Sequence, residues 1–147
     1  MKLMISACLL GKKCKYSGGD NRSETVLAFA RGHEVIPVCP EMAGGLPVPR
    51  TPCEIVCGIV RTADGESRDR EFRLGAERCL ALAREQKIDL AILQPRSPSC
   101  GVRQIYDGTF SGTLKEGSGI FASLLQEDGF RVLEPEDLIE TEKGKTQ

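Results

Sequence analysis

Lys2-Leu3-Met4-Ile5-Ser6-Ala7-Cys8, followed at once by Leu9-Leu10-Gly11, is a short apolar run stopped by a glycine. A run of this length, bounded by a breaker, predicts a buried strand. It carries one charge and lacks the longer apolar stretch of a secretory leader, so it is read as the first strand of the fold. Working outward, Ser23 stands as an N-cap before Val26, Leu27, Phe29 and Ala30, and Gly32 is placed to end the segment. That pattern predicts a helix over 23–31. Residues 33–39 then read as a second strand centred on Val35-Ile36-Pro37-Val38. Pro37 has no N–H to give to a ladder, which places this strand at a sheet edge or ends it early.

The alternation continues. Breakers crowd residues 40–52, which read as a loop, and 54–56 and 59–62 read as short strands before the Asp64-Gly65 turn. Over 69–86 the residues Phe72, Ala76, Cys79, Leu80 and Ala83 recur at steps of three and four, which predicts a long amphipathic helix. A third buried strand is expected over 88–93. A structureless stretch over 94–119 follows, and loops of that length are usually functional or disordered. A last helix over 120–126, a fourth strand over 130–133 and a charged tail from about 135 complete the reading. Strands separated by helices argue for a three-layer α/β domain with a mostly parallel sheet covered on both faces, taken as one domain over 1–147. Ligands of such sheets bind beyond the carboxyl ends of the strands, where strand order switches.

Composition narrows the function. The chain has 147 residues, 40% hydrophobic and 28% charged, with a formal net charge of −1. That balance excludes a disordered tail and gives no global attraction to nucleic acid or an anionic membrane surface. No apolar run approaches the roughly 20 residues needed to span a bilayer. The expected compartment is the cytoplasm, where the seven cysteines would remain reduced. Cysteines there serve as core residues, metal ligands or reactive thiols.

Cys8 closes the predicted first strand, Cys39 the second, and Cys100 follows the third. A parallel sheet brings all of them to one edge. Position alone leaves two readings open, small buried hydrophobes or metal ligands. Zinc fits poorly, because structural zinc sites take four ligands from local Cys-x-x-Cys pairs and His33 is the only histidine. Cys79 falls on the apolar face of the long helix, and Cys53 and Cys57 are also read as packing residues. Cys14, in the first strand–helix loop, is read as a fourth ligand, a redox partner or a core residue.

The segments Ser6-Ala7-Cys8-Leu9-Leu10-Gly11, Pro37-Val38-Cys39-Pro40-Glu41, Gly44-Gly45-Leu46-Pro47-Val48-Pro49-Arg50 and Ser97-Pro98-Ser99-Cys100-Gly101 resemble the TudS-like thiouracil desulfurase family. Tyr16-Ser17-Gly18-Gly19 and Ile105-Tyr106-Asp107-Gly108-Thr109-Phe110-Ser111-Gly112 extend the likeness, so that it runs from about residue 3 to 133. The resemblance implies a compact, Rossmann-like α/β domain with a 4Fe-4S cluster on Cys8, Cys39 and Cys100, and a non-redox desulfuration of a thiolated pyrimidine such as 2-thiouracil. It implies Glu41 as the acid–base group and Ser97 as an assisting hydroxyl, with Ser99, Tyr106 and Asp107 as substrate contacts. For Ser97, Tyr106 and Asp107 plain turn roles are the competing reading, and for Glu41 an N-cap or a surface salt bridge. The chain departs from the family pattern at Cys14 and Cys53, where valine and alanine or proline are commoner, and at Arg103, a candidate for altered substrate preference.

Two alternatives stand beside this expectation. One is a desulfidase for a thiolated nucleoside or tRNA base such as 4-thiouridine, for which Lys12, Lys13 and Lys15 offer one small basic group. The other is a non-catalytic nucleotide-binding module, which lacks its G-x-G-x-x-G fingerprint after the first strand.

Overall fold

The structure, a computed structural model, describes residues 1–138. In chain order the elements are β1 (Lys2–Ser6), α1 (Glu24–Ala30), β2 (Glu34–Val38), α2 (Pro40–Ala43), β3 (Cys53–Val56), β4 (Ile59–Thr62), α3 (Asp69–Gln86), β5 (Leu90–Ile92), β6 (Gln104–Tyr106), β7 (Leu114–Glu116), α4 (Ile120–Glu127) and β8 (Val132–Leu133). The main sheet has the order β2-β1-β5-β8, and every pair in it is parallel. β2 lies at the edge, as Pro37 requires.

Alternation along the strands sorts two cores. Met4, Val38, Ala91 and Leu93 pack with Ala76, Cys79, Leu80 and Ala83 of α3 and Phe121, Ala122 and Leu125 of α4. Leu3, Ile5, Leu90 and Ile92 face the other way, onto Leu9, Val26 and Ala30. Helices therefore cover both faces, giving the three layers expected of an α/β domain. Ser23 caps α1, its hydroxyl accepting from Val26 N at 3.2 Å.

Chain order reverses at β1, which has β2 on one side and β5 on the other. The crevice beyond the carboxyl ends of β1 and β5 is the switch point where such sheets place their ligands. Gln94 N donates to Ser6 Oγ at 3.0 Å and ties those two ends together.

Several expectations need correction. β1 stops at Ser6, and Ala7–Leu10 winds into a 3-10 turn closed by Gly11 at φ 98°, so Cys8 sits in that turn and not on the strand. The loop read over 40–52 opens with α2, because proline is compatible with a first helical position. The stretch read as structureless over 94–119 contains the antiparallel hairpin β6–β7. Residues 135–138 are helical and Leu138 is fully buried in the second core, so the tail starts later than expected. The rest of that predicted tail, 139–147, lies outside the described residues. Among the described residues no helix is long and apolar enough to cross a membrane.

Candidate functional site

One cavity of about 520 Å³ opens at the switch point, within the size range of small-molecule sites. Cys8 reaches it from the 3-10 turn after β1, Cys39 from the end of β2, and Cys100 from the segment after β5. Glu41, Ser97, Ser99 and Tyr106 also line it. Asp107 does not: its carboxylate accepts from the amide and hydroxyl of Thr109 at 3.0 and 2.6 Å. Those bonds hold its carboxyl below the ordinary range, and its place is the turn.

Cys39 and Glu41 are positioned by a close backbone approach. α2 begins immediately after Cys39, with Glu41 in its first turn. A Cβ on Gly75 of α3 would fall 1.7 Å from the Pro40 carbonyl oxygen, and one on Gly44 would fall 1.9 Å from that of Glu71. Only glycine at both positions lets the two helices touch main chain to main chain.

The segment carrying Ser97, Ser99 and Cys100 is clamped to the start of α4. Ile120 N donates to Pro98 O at 2.9 Å, Phe121 N to Ser99 O at 2.9 Å, and Gly119 N to Gly101 O at 2.8 Å. These bonds satisfy the open amides of a helix start, so the loop doubles as its cap. Ser97 Oγ accepts from the amides of Ser99 and Cys100, both at 3.1 Å.

A polar chain runs across the cavity wall. Ser99 donates its hydroxyl to Glu41 Oε2 at 2.8 Å, and Ser97 Oγ lies 2.9 Å from Ser99 Oγ. With the Ser99 proton committed to the carboxylate, Ser97 is the donor in that contact. The other carboxylate oxygen accepts from Arg50 Nε at 3.0 Å, in an ion pair whose side chains are 6% and 16% exposed. Arg50 also donates to the carbonyls of Cys14 at 2.9 Å and Pro47 at 3.2 Å. A lone arginine after a proline-rich run gives no periodic signal, and its role is visible only in three dimensions.

The thiols form a connected group. Burial first, then the neighbouring Cys39, Cys8 and the Cys39 hydrogen bond, push Cys14 up to about 12. Burial also raises Cys8 and Cys100, with hydrogen bonds from Asn21 to the former and from Ser6 and Ser99 to the latter working the other way. Such donors are the partners that a metal-bound thiolate needs around it. Cys14 is buried in the cavity wall, and its carbonyl accepts from Cys39 Sγ at 3.9 Å.

Two other cysteines depart from the packing expectation. Cys53 lines the cavity, its thiol raised to about 11 by burial and then by the Glu41 charge. Cys57 is exposed at the tip of the β3–β4 hairpin. Cys79 is a core residue, as its helical spacing predicted. Arg103 is not on the cavity wall; it pairs with Glu134 at 3.2 Å and with Asp137.

Among the described residues no three His, Cys, Asp or Glu side chains converge on a point that a single ion would fill. Soft thiolates are the ligands of iron–sulfur clusters. Cys8, Cys39 and Cys100, all on the cavity wall, fit that donor set.

The 2-thiouracil desulfurase family profile matches residues 3–137. The chain belongs to this family. The chain is 37% identical to the uncharacterised protein YbbK of Bacillus subtilis (strain 168), over 92% of this chain and 97% of the relative. A solved structure of the [4Fe-4S]-dependent thiouracil desulfidase TudS shares the fold with a TM-score of 0.89 and 37% identity, covering 99% of this chain and 97% of the other. Membership in the 2-thiouracil desulfurase family agrees with the motif resemblance and places the chain among enzymes.

Proposed function

We propose that this chain catalyses the non-redox desulfuration of a thiolated pyrimidine, converting 2-thiouracil and water to uracil and hydrogen sulfide, with a 4Fe-4S cluster on Cys8, Cys39 and Cys100. The observation that carries this reading is one cavity wall bearing those thiols, the Glu41 carboxylate and the Ser97 and Ser99 hydroxyls. Family membership and the likeness to a [4Fe-4S]-dependent thiouracil desulfidase support it.

When bound, a cluster with three protein ligands supplies a Lewis-acidic iron open to the thiocarbonyl sulfur. The chain's own residues do the rest. Glu41 takes a proton from the water that attacks the thiocarbonyl carbon and returns one as the carbon–sulfur bond breaks. Arg50 holds Oε1, leaving Oε2 and its Ser99 donor to face the reaction. The Ser97–Ser99 hydroxyl pair passes or donates protons along that chain. Carbon exchanges sulfur for oxygen at the same oxidation level, so no external electrons are required. Pro40, Pro52, Pro95 and Pro98 add apolar surface to the cavity wall.

A second reading keeps the chemistry and enlarges the substrate to a thiolated nucleoside or tRNA base. It is favoured by Lys15 on the cavity wall, with Lys12 and Lys13 exposed beside it. The test is anaerobic incubation of the reconstituted protein with 2-thiouracil and with 4-thiouridine, following pyrimidine product and sulfide together. Equal release of both from 2-thiouracil is expected. Release from neither compound overturns the desulfidase reading.

A further inference from the structure

The loop joining β6 to β7 reads Asp107-Gly108-Thr109-Phe110-Ser111-Gly112-Thr113, and Phe110 is its only large apolar residue. Thr109, Ser111, Gly112 and Thr113 are exposed, yet Phe110 is half-buried and lines the cavity. Its backbone is left-handed, at φ 57°. A bulky aromatic residue rarely adopts that conformation, and it persists only where the surroundings enforce it.

The enforcing group is Glu54 of β3. One carboxylate oxygen, Oε1, accepts from Gly108 N at 2.9 Å and from Phe110 N at 3.1 Å. Gly108 lies so close to β3 that a Cβ there would stand 2.6 Å from the Ile55 carbonyl oxygen. Inside the loop, Asp107 N bonds Thr113 O at 2.9 Å, and Thr109 Oγ1 bonds Asp107 Oδ1 at 2.6 Å. The loop is thereby held against β3 with Phe110, its one aromatic residue, on the cavity wall.

We propose that Phe110 forms a stacking face for the flat pyrimidine ring, and that Glu54 is the positioning residue that holds it there. The inference rests on the proposed pyrimidine substrate and goes beyond it by naming what grips the ring. An aromatic face accepts any flat heterocycle through its π-system, and one such stack is lost when the ring is truncated to alanine. Glu54 also lines the cavity, and its tie to the loop is Oε1, which is occupied by two main-chain amides.

The test compares wild type, Phe110→Ala, Phe110→Tyr, Glu54→Ala and the double variant Glu54→Ala/Phe110→Ala, all with reconstituted cluster and measured iron. KM for 2-thiouracil and the dissociation constant of uracil by equilibrium dialysis are both read. In Phe110→Ala both are expected to rise by roughly 5- to 150-fold, the range for one base–aromatic stack, while kcat moves much less. Phe110→Tyr should restore the wild-type values. Glu54→Ala should raise both constants, and the double variant should be no worse than Phe110→Ala alone, because the two residues act as one unit. Unchanged KM and uracil binding in a Phe110→Ala protein with full iron overturns the stacking face while leaving the desulfidase function standing. A wild type that neither turns over 2-thiouracil nor binds uracil overturns both. Additive effects in the double variant remove Glu54 from the positioning role.

Discussion

Ser99 donates its hydroxyl to Glu41 Oε2 at 2.8 Å, although the two residues lie 58 positions apart in the chain. The bond joins the segment after β5 to the first turn of α2, the two elements that also deliver Cys100 and Cys39. The proposed acid–base group and two of the three proposed thiol ligands are therefore set by the same pair of segments, and a change in one segment is felt in both.

The roles of these two side chains separate experimentally. Glu41→Gln keeps the shape, its one carbonyl oxygen accepting from Arg50 and its amide nitrogen donating to Ser99, but it cannot accept a proton as a carboxylate does. Turnover of 2-thiouracil should fall about 100-fold or more, in the range of a general acid–base group, with iron content unchanged. Ser99→Ala leaves one carboxylate oxygen without its donor and should lower turnover by about tenfold, as for one hydrogen bond to a charged group. Uracil release per iron-loaded chain measures both. Undiminished turnover in Glu41→Gln removes Glu41 from the mechanism.

Much of this arrangement was legible beforehand. The apolar run of β1, the Ser23 cap, the edge position marked by Pro37 and the three-four spacing of α3 each leave a periodic or positional trace. What was not legible rests on contacts between distant residues. α2 has four residues and begins with proline, so it shows no period; its place depends on Gly44 and Gly75 meeting. β6 and β7 have three residues each, too few for alternation to register. Arg50, Cys53, Glu54 and Phe110 enter the cavity wall only because separate loops converge there.

The approach of α2 to α3 makes Gly75 a sensitive point. In Gly75→Ala the new methyl would meet the Pro40 carbonyl oxygen at 1.7 Å, so α2 must move. Overpacking of this kind should destabilise the protein by about 1–3 kcal/mol. Because α2 carries Glu41 and follows Cys39, reconstituted iron per folded chain should also drop. Denaturant melts and iron assay of the folded fraction check the two effects. Unchanged stability would contradict the close approach.

The exposed and buried thiols outside the site differ in reactivity. Cys57 is exposed, whereas burial, then the neighbouring Cys39, raises Cys79 to about 12, so Cys79 stays a protonated thiol at neutral pH. Mass-spectrometric mapping after brief alkylation of the native protein should show Cys57 labelled and Cys79 untouched until denaturant is added. Prompt labelling of Cys79 would place it outside the core.

Cys57 and Gly58 form the two-residue turn between β3 and β4, with φ values of 50° and 80°. Two positive φ angles favour Asn-Gly over Cys-Gly. Cys57→Asn should therefore stabilise the protein by about 0.5–1 kcal/mol, seen as a melting temperature raised by a few degrees. A lower melting temperature would contradict this turn geometry.

The most direct test of the account is iron and acid-labile sulfide per chain after anaerobic reconstitution, in wild type and in single alanine variants. Wild type should hold about four of each. Cys8→Ala, Cys39→Ala and Cys100→Ala should each lose both, while Cys14→Ala, Cys53→Ala and Cys79→Ala retain them. An iron-free wild type, or a cluster that survives loss of Cys8, Cys39 or Cys100, contradicts the account, and loss in Cys14→Ala would replace three ligands with four.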